Sequence, residues 1–167
     1  MEEIVNKVAN SGLISLDIKD FYPRGERVVI DLRDQLWQEL VLKEKDFRAW
    51  VKGHDWLTYK DQYVGVFCSA DAIVPTWAFM LVASELEPLA ASVTFGNMEA
   101  LEVSVVQNHI KSLDLSEYRD QRVIVKGCSD IAAPEVAFLE FTKALRPVVK
   151  SLMFGEACSS VPVFKKR

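Results

Sequence analysis

The chain has 167 residues, half of them hydrophobic and about a quarter charged, the composition of one globular domain able to bury roughly two-thirds of its unfolded surface. A net charge of −4 supplies no global field for nucleic acid or anionic lipid, and the only basic cluster is the short Lys165-Lys166-Arg167 tail. No run approaches the roughly 18 apolar residues of a membrane span, the acidic start MEEIVNKVANSG lacks a signal-peptide pattern, and three cysteines argue against a disulfide framework, so the expected location is cytoplasmic.

In chain order, Glu3–Asn10 reads as a short helix closed by Asn10-Ser11-Gly12. Val28–Leu32 reads as a strand, and Leu36–Leu42 as a second candidate strand. Lys45–Val51 is a short amphipathic helix ending at Gly53, just before His54-Asp55-Trp56. Residues 1–58 are thus an N-terminal extension expected to pack on the core, as an added sheet edge or a dimer surface.

From Tyr59 onward the chain repeats itself. Tyr59–Gly96 laid on Tyr118–Gly155 without a gap gives 14 identities in 38 positions, among them Tyr59/Tyr118, Asp61/Asp120, Gln62/Gln121, Asp71/Asp130, Pro75/Pro134 and Gly96/Gly155. Unrelated segments would share about two or three at average residue usage. Each copy opens with Tyr-x-Asp-Gln and a β-branched run (63–67, 122–126), then a Cys-Ser loop. A helix follows, begun by Pro75 or Pro134, whose missing N–H is harmless in a first turn, and bounded by Pro88 or Pro147. Trp77, Met80, Leu81 and Val136, Leu139, Ala144 stand at helical spacing in these two segments, and a short run (93–95, 152–154) closes each copy at a glycine.

Strand, loop, helix, strand is a βαβ unit. The expected fold is therefore α/β, a mostly parallel sheet built from two tandem repeats, 59–96 and 118–155, within a single domain of residues 1–167. Residues 97–117 carry a connecting helix, capped by Asn97 and striped with Met98, Leu101, Val105, Val106, Ile110 and Leu113. Residues 156–167 read as a tail.

Each cysteine precedes a serine: Cys68, Cys128 and Cys158. In parallel α/β units the loops after the strands gather where ligands bind, which places Cys68 and Cys128 at that edge. Three thiolates suit zinc or an iron–sulfur species, with Asp71, Asp130 or His54 as further ligands. The spacing is long-range, with no Cys-x-x-Cys. A reactive thiol beside a helix N-terminus is the second reading, although neither loop has the Arg of a phosphatase-like loop. Simple packing is the third, since cysteine is among the most buried residue types. His109 lies near the apolar stripe of the connecting helix and reads as a half-buried core histidine. Phosphate-binding glycine loops, G-x-S-x-G and H-E-x-x-H do not occur.

EIVNKVANSGLISLDIKDFYP, LKEKDFRAWVKGHDW, CSADAIVPTWAFMLVA and RPVVKSLMFGEACSSVPVFKK together resemble an uncharacterised bacterial family, domain of unknown function number twenty-four eighty, over essentially the whole chain. The resemblance implies neither an activity nor a site; it suggests iron–sulfur assembly proteins as partners. The expected function is metal binding through Cys68, Cys128 and Cys158. The alternatives are a homodimeric interaction or scaffold protein with structural cysteines, and a small thiol-dependent enzyme. No nucleic acid or membrane partner is expected.

Overall fold

The computed structural model of the protein describes residues 12–127 and 130–167. The expected helix at Glu3–Asn10 and the loop residue Cys128 lie outside these. Seven strands and four α-helices are found among the described residues: β1 (Leu13–Asp17), β2 (Arg27–Asp31), α1 (Glu44–Gly53), β3 (Tyr63–Phe67), α2 (Thr76–Leu86), β4 (Ser92–Phe95), α3 (Met98–Ser112), β5 (Arg122–Lys126), α4 (Pro134–Leu145), β6 (Ser151–Glu156) and β7 (Ser159–Lys165). The fold is mixed α/β with mostly parallel pairing. Its strands divide between two sheets, of order β1-β5-β6-β7 and β2-β3-β4.

Two compact units result. A continuous unit, Arg24–Val105, holds the three-stranded sheet. A split unit, Val106–Arg167 with the described residues up to Pro23, holds the four-stranded one. The boundary falls within α3, between Val105 and Val106.

The continuous unit is held by the pleat of its sheet and the period of its helix. Val64 and Val66 of β3, together with Ile30 of β2, join Ala78, Val82 and Leu86 of α2 in one buried cluster with Phe47 and Val51 of α1. The α2 members recur every four residues and make one helix face. Gly65 occupies the β3 position between the two valines. A Cβ there would stand 2.8 Å from the Gly96 carbonyl oxygen and 3.1 Å from Val29 Cγ1, so the close approach of the backbone just after β4 requires glycine.

The split unit repeats the scheme. Ala137, Phe141 and Leu145 of α4 cluster with Val123 and Val125 of β5, Leu152 of β6, Leu16 of β1, and Val106 and Ile110 of α3. Its central strand is aligned Leu13↔Arg122↔Ser151, and that of the continuous unit Arg27↔Tyr63↔Ser92. Tyr63 and Arg122, like Ser92 and Ser151, are 59 residues apart. Turns correspond in the same way. Asp61 and Asp120 both take positive φ, 60° and 58°. Their amides donate to the Leu89 and Val148 carbonyls, each at 2.9 Å.

The early chain supplies a strand to each sheet. β1 ends at Asp17, whose carboxylate accepts from the Lys19 amide at 3.0 Å; β2 ends at Asp31, which accepts from the Arg33 amide at 3.0 Å. Each aspartate caps a short 3₁₀ turn, Ile18–Phe21 or Leu32–Gln35, whose first residue is fully buried. The match of Asp17-Ile18-Lys19-Asp20 to Asp31-Leu32-Arg33-Asp34 is the sequence trace of this arrangement.

Three expectations need correction. Leu36–Leu42 is no strand: Gln38 and Glu39 take φ of 51° and 59° and reverse the chain, leaving a single bridge between Trp37 and Val41. Residues 156–167 are no tail, because β7 pairs antiparallel with β6. The helices α2 and α4 turn Met80 and Leu139 outward, 69% and 58% exposed, and bury the Ala78 and Ala137 stripes instead.

Candidate functional site

The loops after the parallel strands were the expected location of chemistry, and their polar groups are largely engaged in holding backbone. In the continuous unit Asp31 Oδ1 accepts from the Ser69 amide at 2.9 Å as well as from Arg33. Burial pushes the Asp31 carboxyl up, but hydrogen bonds from the Ser69 side chain and the Arg33 and Ser69 amides outweigh it, so the carboxyl stays below its ordinary value. Cys68, the next residue after β3, is half-buried against the apolar cluster of this unit, with its Sγ 3.8 Å from the Ala70 carbonyl oxygen. Asp71 is exposed in the loop. Pro75 is the N-cap of α2 and no side chain caps this helix, so Asp71 is not a cap.

In the split unit Pro134 is the first residue of α4, again without a side-chain cap. Asp130 pairs instead with Lys19 Nζ at 2.8 Å, and Lys126 Nζ lies 3.7 Å from Glu156. A shallow cleft of about 280 Å³ opens at the carboxyl ends of β1, β5 and β6, among Asp17, Lys126, Gly127 and Glu156. Cys158 is exposed in the turn between β6 and β7. Cys68 and Cys158 thus belong to different units, and Cys128 lies outside the described residues. His54 belongs to an aromatic cluster: its Nε2 is 3.0 Å from Tyr59 Oη, and its ring lies against Trp50, Trp56 and Tyr59. Burial, followed by the Asp55 charge, pushes the Tyr59 hydroxyl up. Among the described residues no group of three or more His, Cys, Asp or Glu side chains is arranged to hold a metal ion.

A different surface recurs in both units. Phe79 of α2 meets Phe95 of β4 edge-on at 5.4 Å, and Phe138 of α4 meets Phe154 of β6 edge-on at 5.4 Å. Such pairs favour this geometry because the positive ring edge faces the negative ring face. Leu139 shares an exposed surface with Phe138 and Phe154, and its counterpart Met80, the residue after Phe79 in α2, is exposed as well. Phe95 is 75% exposed and Phe154 43%, so each unit displays an aromatic-aliphatic cluster to solvent. In the split unit it forms an open groove of about 420 Å³ with Thr142, Lys143 and Val163. The 59-residue echo at Phe79/Phe138 and Phe95/Phe154 was the sequence signal for this surface, but it gave no means of telling an outward Phe from a core one.

A family model described as "Protein of unknown function (DUF2480)" matches residues 2–166. The chain belongs to this family. No curated protein and no solved structure matches it. None of the helices among the described residues is long and apolar enough to cross a membrane.

Proposed function

We propose that this DUF2480 member is a self-associating interaction protein, descended from duplication of a βαβ unit, whose partner is a second copy of the same chain. The observation that carries this reading is the exposed cluster Phe79/Met80/Phe95, repeated as Phe138/Leu139/Phe154. Covering a large apolar side chain contributes about 1.5–3 kcal/mol, and exposed apolar clusters of this kind mark contact surfaces. Edge-to-edge pairing through β7 is disfavoured. β7 is the edge of its sheet, but Pro162 and a register shift interrupt it, both features that blunt edge-to-edge pairing. Sedimentation equilibrium tests the proposal: the mass should rise with concentration above the 18.9 kDa of one chain. A single 18.9 kDa species at the highest attainable concentration would exclude it.

In this reading Cys68 is structural. Cys68 fills the core edge of its unit, which favours packing over coordination. The competing thiolate site at Cys68, Cys128 and Cys158, with Asp71, Asp130 or His54, is decided by elemental analysis of anaerobically purified protein. Substoichiometric zinc and iron are expected. One bound equivalent that disappears in Cys158→Ser would establish the metal site instead, and with it the link to iron–sulfur assembly partners.

A further inference from the structure

Resting on the self-association proposed above, we infer that the contact joins unlike surfaces: the Phe95 ridge of the continuous unit in one copy seats in the Leu139–Phe154 groove of the split unit in the other. Shape distinguishes the two clusters although their residues correspond. In the split unit β7 continues the sheet past β6, and Val163 supplies a wall, so Phe154 is recessed at the side of a groove of about 420 Å³. Among the described residues the other sheet ends at β4, with no further strand beside Phe95. The same phenylalanine therefore projects in one unit, 75% exposed, and lines a concavity in the other, 43% exposed. A projecting ring and an apolar groove fit each other better than two ridges or two grooves do.

Charge points the same way. The continuous unit carries eight Lys or Arg against thirteen Asp or Glu, net −5, whereas the described residues of the split unit carry eleven against nine, net +2. The difference extends along the helix stripes that carry Met80 and Leu139, where Arg146 also lies over the Phe164 ring at 4.8 Å. Met80, Ser84 and Glu87 share one stripe of the α2 surface, spaced as Leu139, Lys143 and Arg146 are on α4. Their last members are opposite in sign and occupy the same C-cap position, with nearly the same backbone angles. Like surfaces brought together would juxtapose Glu87 with Glu87 and Arg146 with Arg146. Unlike surfaces pair them, and complementary potentials of this sort select partner and register.

The test uses two variants at exposed positions, Phe95→Asp in the ridge and Leu139→Asp in the groove, with circular dichroism confirming that each is folded. Each alone should sediment as a monomer, because one of its two surfaces is disabled. An equimolar mixture should form a 1:1 dimer through the ridge of the Leu139 variant and the groove of the Phe95 variant. Glu87→Arg and Arg146→Glu should each weaken association by roughly tenfold, and mixing those two should recover part of the loss. A wild-type chain that associates while either aspartate variant still self-associates, or while the mixture stays monomeric, overturns the ridge-in-groove contact and leaves self-association standing. A monomeric wild type overturns self-association itself.

Discussion

Single residues show how two units of similar plan differ. Gly127 and Cys68 follow the central strand in the split and continuous units, 59 residues apart. A Cβ on Gly127 would stand 2.4 Å from Ile18 Cγ2, and its φ is +151°, so this position demands glycine. The matching site accommodates the Cys68 side chain at the edge of an apolar cluster. Gly127→Ala should therefore cost about 1–3 kcal/mol by urea unfolding, and Cys68→Ala only about 1 kcal/mol. Glu140 makes a second prediction. It is buried on α4, where Lys143 Nζ donates to both carboxylate oxygens at 2.9 and 2.8 Å and Gln107 donates at 3.2 Å. The Lys143 hydrogen bond, against the opposing effect of burial, holds its carboxyl below the ordinary glutamate value. A carboxyl depressed by folding stabilises the native state fully above its unfolded value, and the gain is lost as pH falls through the folded value. Glu140→Gln should thus unfold at a lower urea midpoint than wild type at neutral pH, and the two should converge in acid below the usual glutamate range. A constant gap across that range would mean that the charge is not what matters.

At the scale of elements, the strands of the repeats were legible because β-branched runs bounded by turn residues specify a buried strand locally. The expected limits 63–67 and 122–126 are those of β3 and β5. Asn97 does cap α3, its Oδ1 accepting from the Ala100 amide at 3.1 Å. Replacing it with Ala should lower stability by about 1 kcal/mol in urea unfolding. Helix faces were less legible. α2 and α4 are apolar around most of their circumference, so periodicity does not choose between the stripe of Met80 or Leu139 and that of Ala78 or Ala137; close packing on a sheet selects the small residue. Phe141→Ala should accordingly cost about 3–5 kcal/mol, whereas Leu139→Ala should fall within about 0.5 kcal/mol for the monomer, both read from denaturant midpoints. β7 was hidden by Pro162, which argues against a strand anywhere except at an edge, and whether a segment becomes an edge is a tertiary outcome.

For the molecule as a whole, opposite net charge on the two units predicts a salt dependence. If unlike surfaces meet between copies, association measured by sedimentation velocity should weaken as added salt shortens the screening length. A contact that only strengthens with salt would be apolar alone. By itself the sequence determined the α/β class, the family, the strands 63–67 and 122–126, the helices that follow Pro75 and Pro134, and the 59-residue identity between the two segments, because propensity, turn chemistry and internal identity are local properties of the chain. It also held the candidate cysteines, but not their surroundings. Only the tertiary structure decided that β1 and β2 enter different sheets beside β5 and β3, and that Cys68 and Cys158 belong to different units. It likewise decided that two corresponding phenylalanines become a ridge in one unit and the side of a groove in the other. The physical reason is that strand partners, sheet edges and exposure are set by contacts between segments far apart in sequence, which no local pattern encodes.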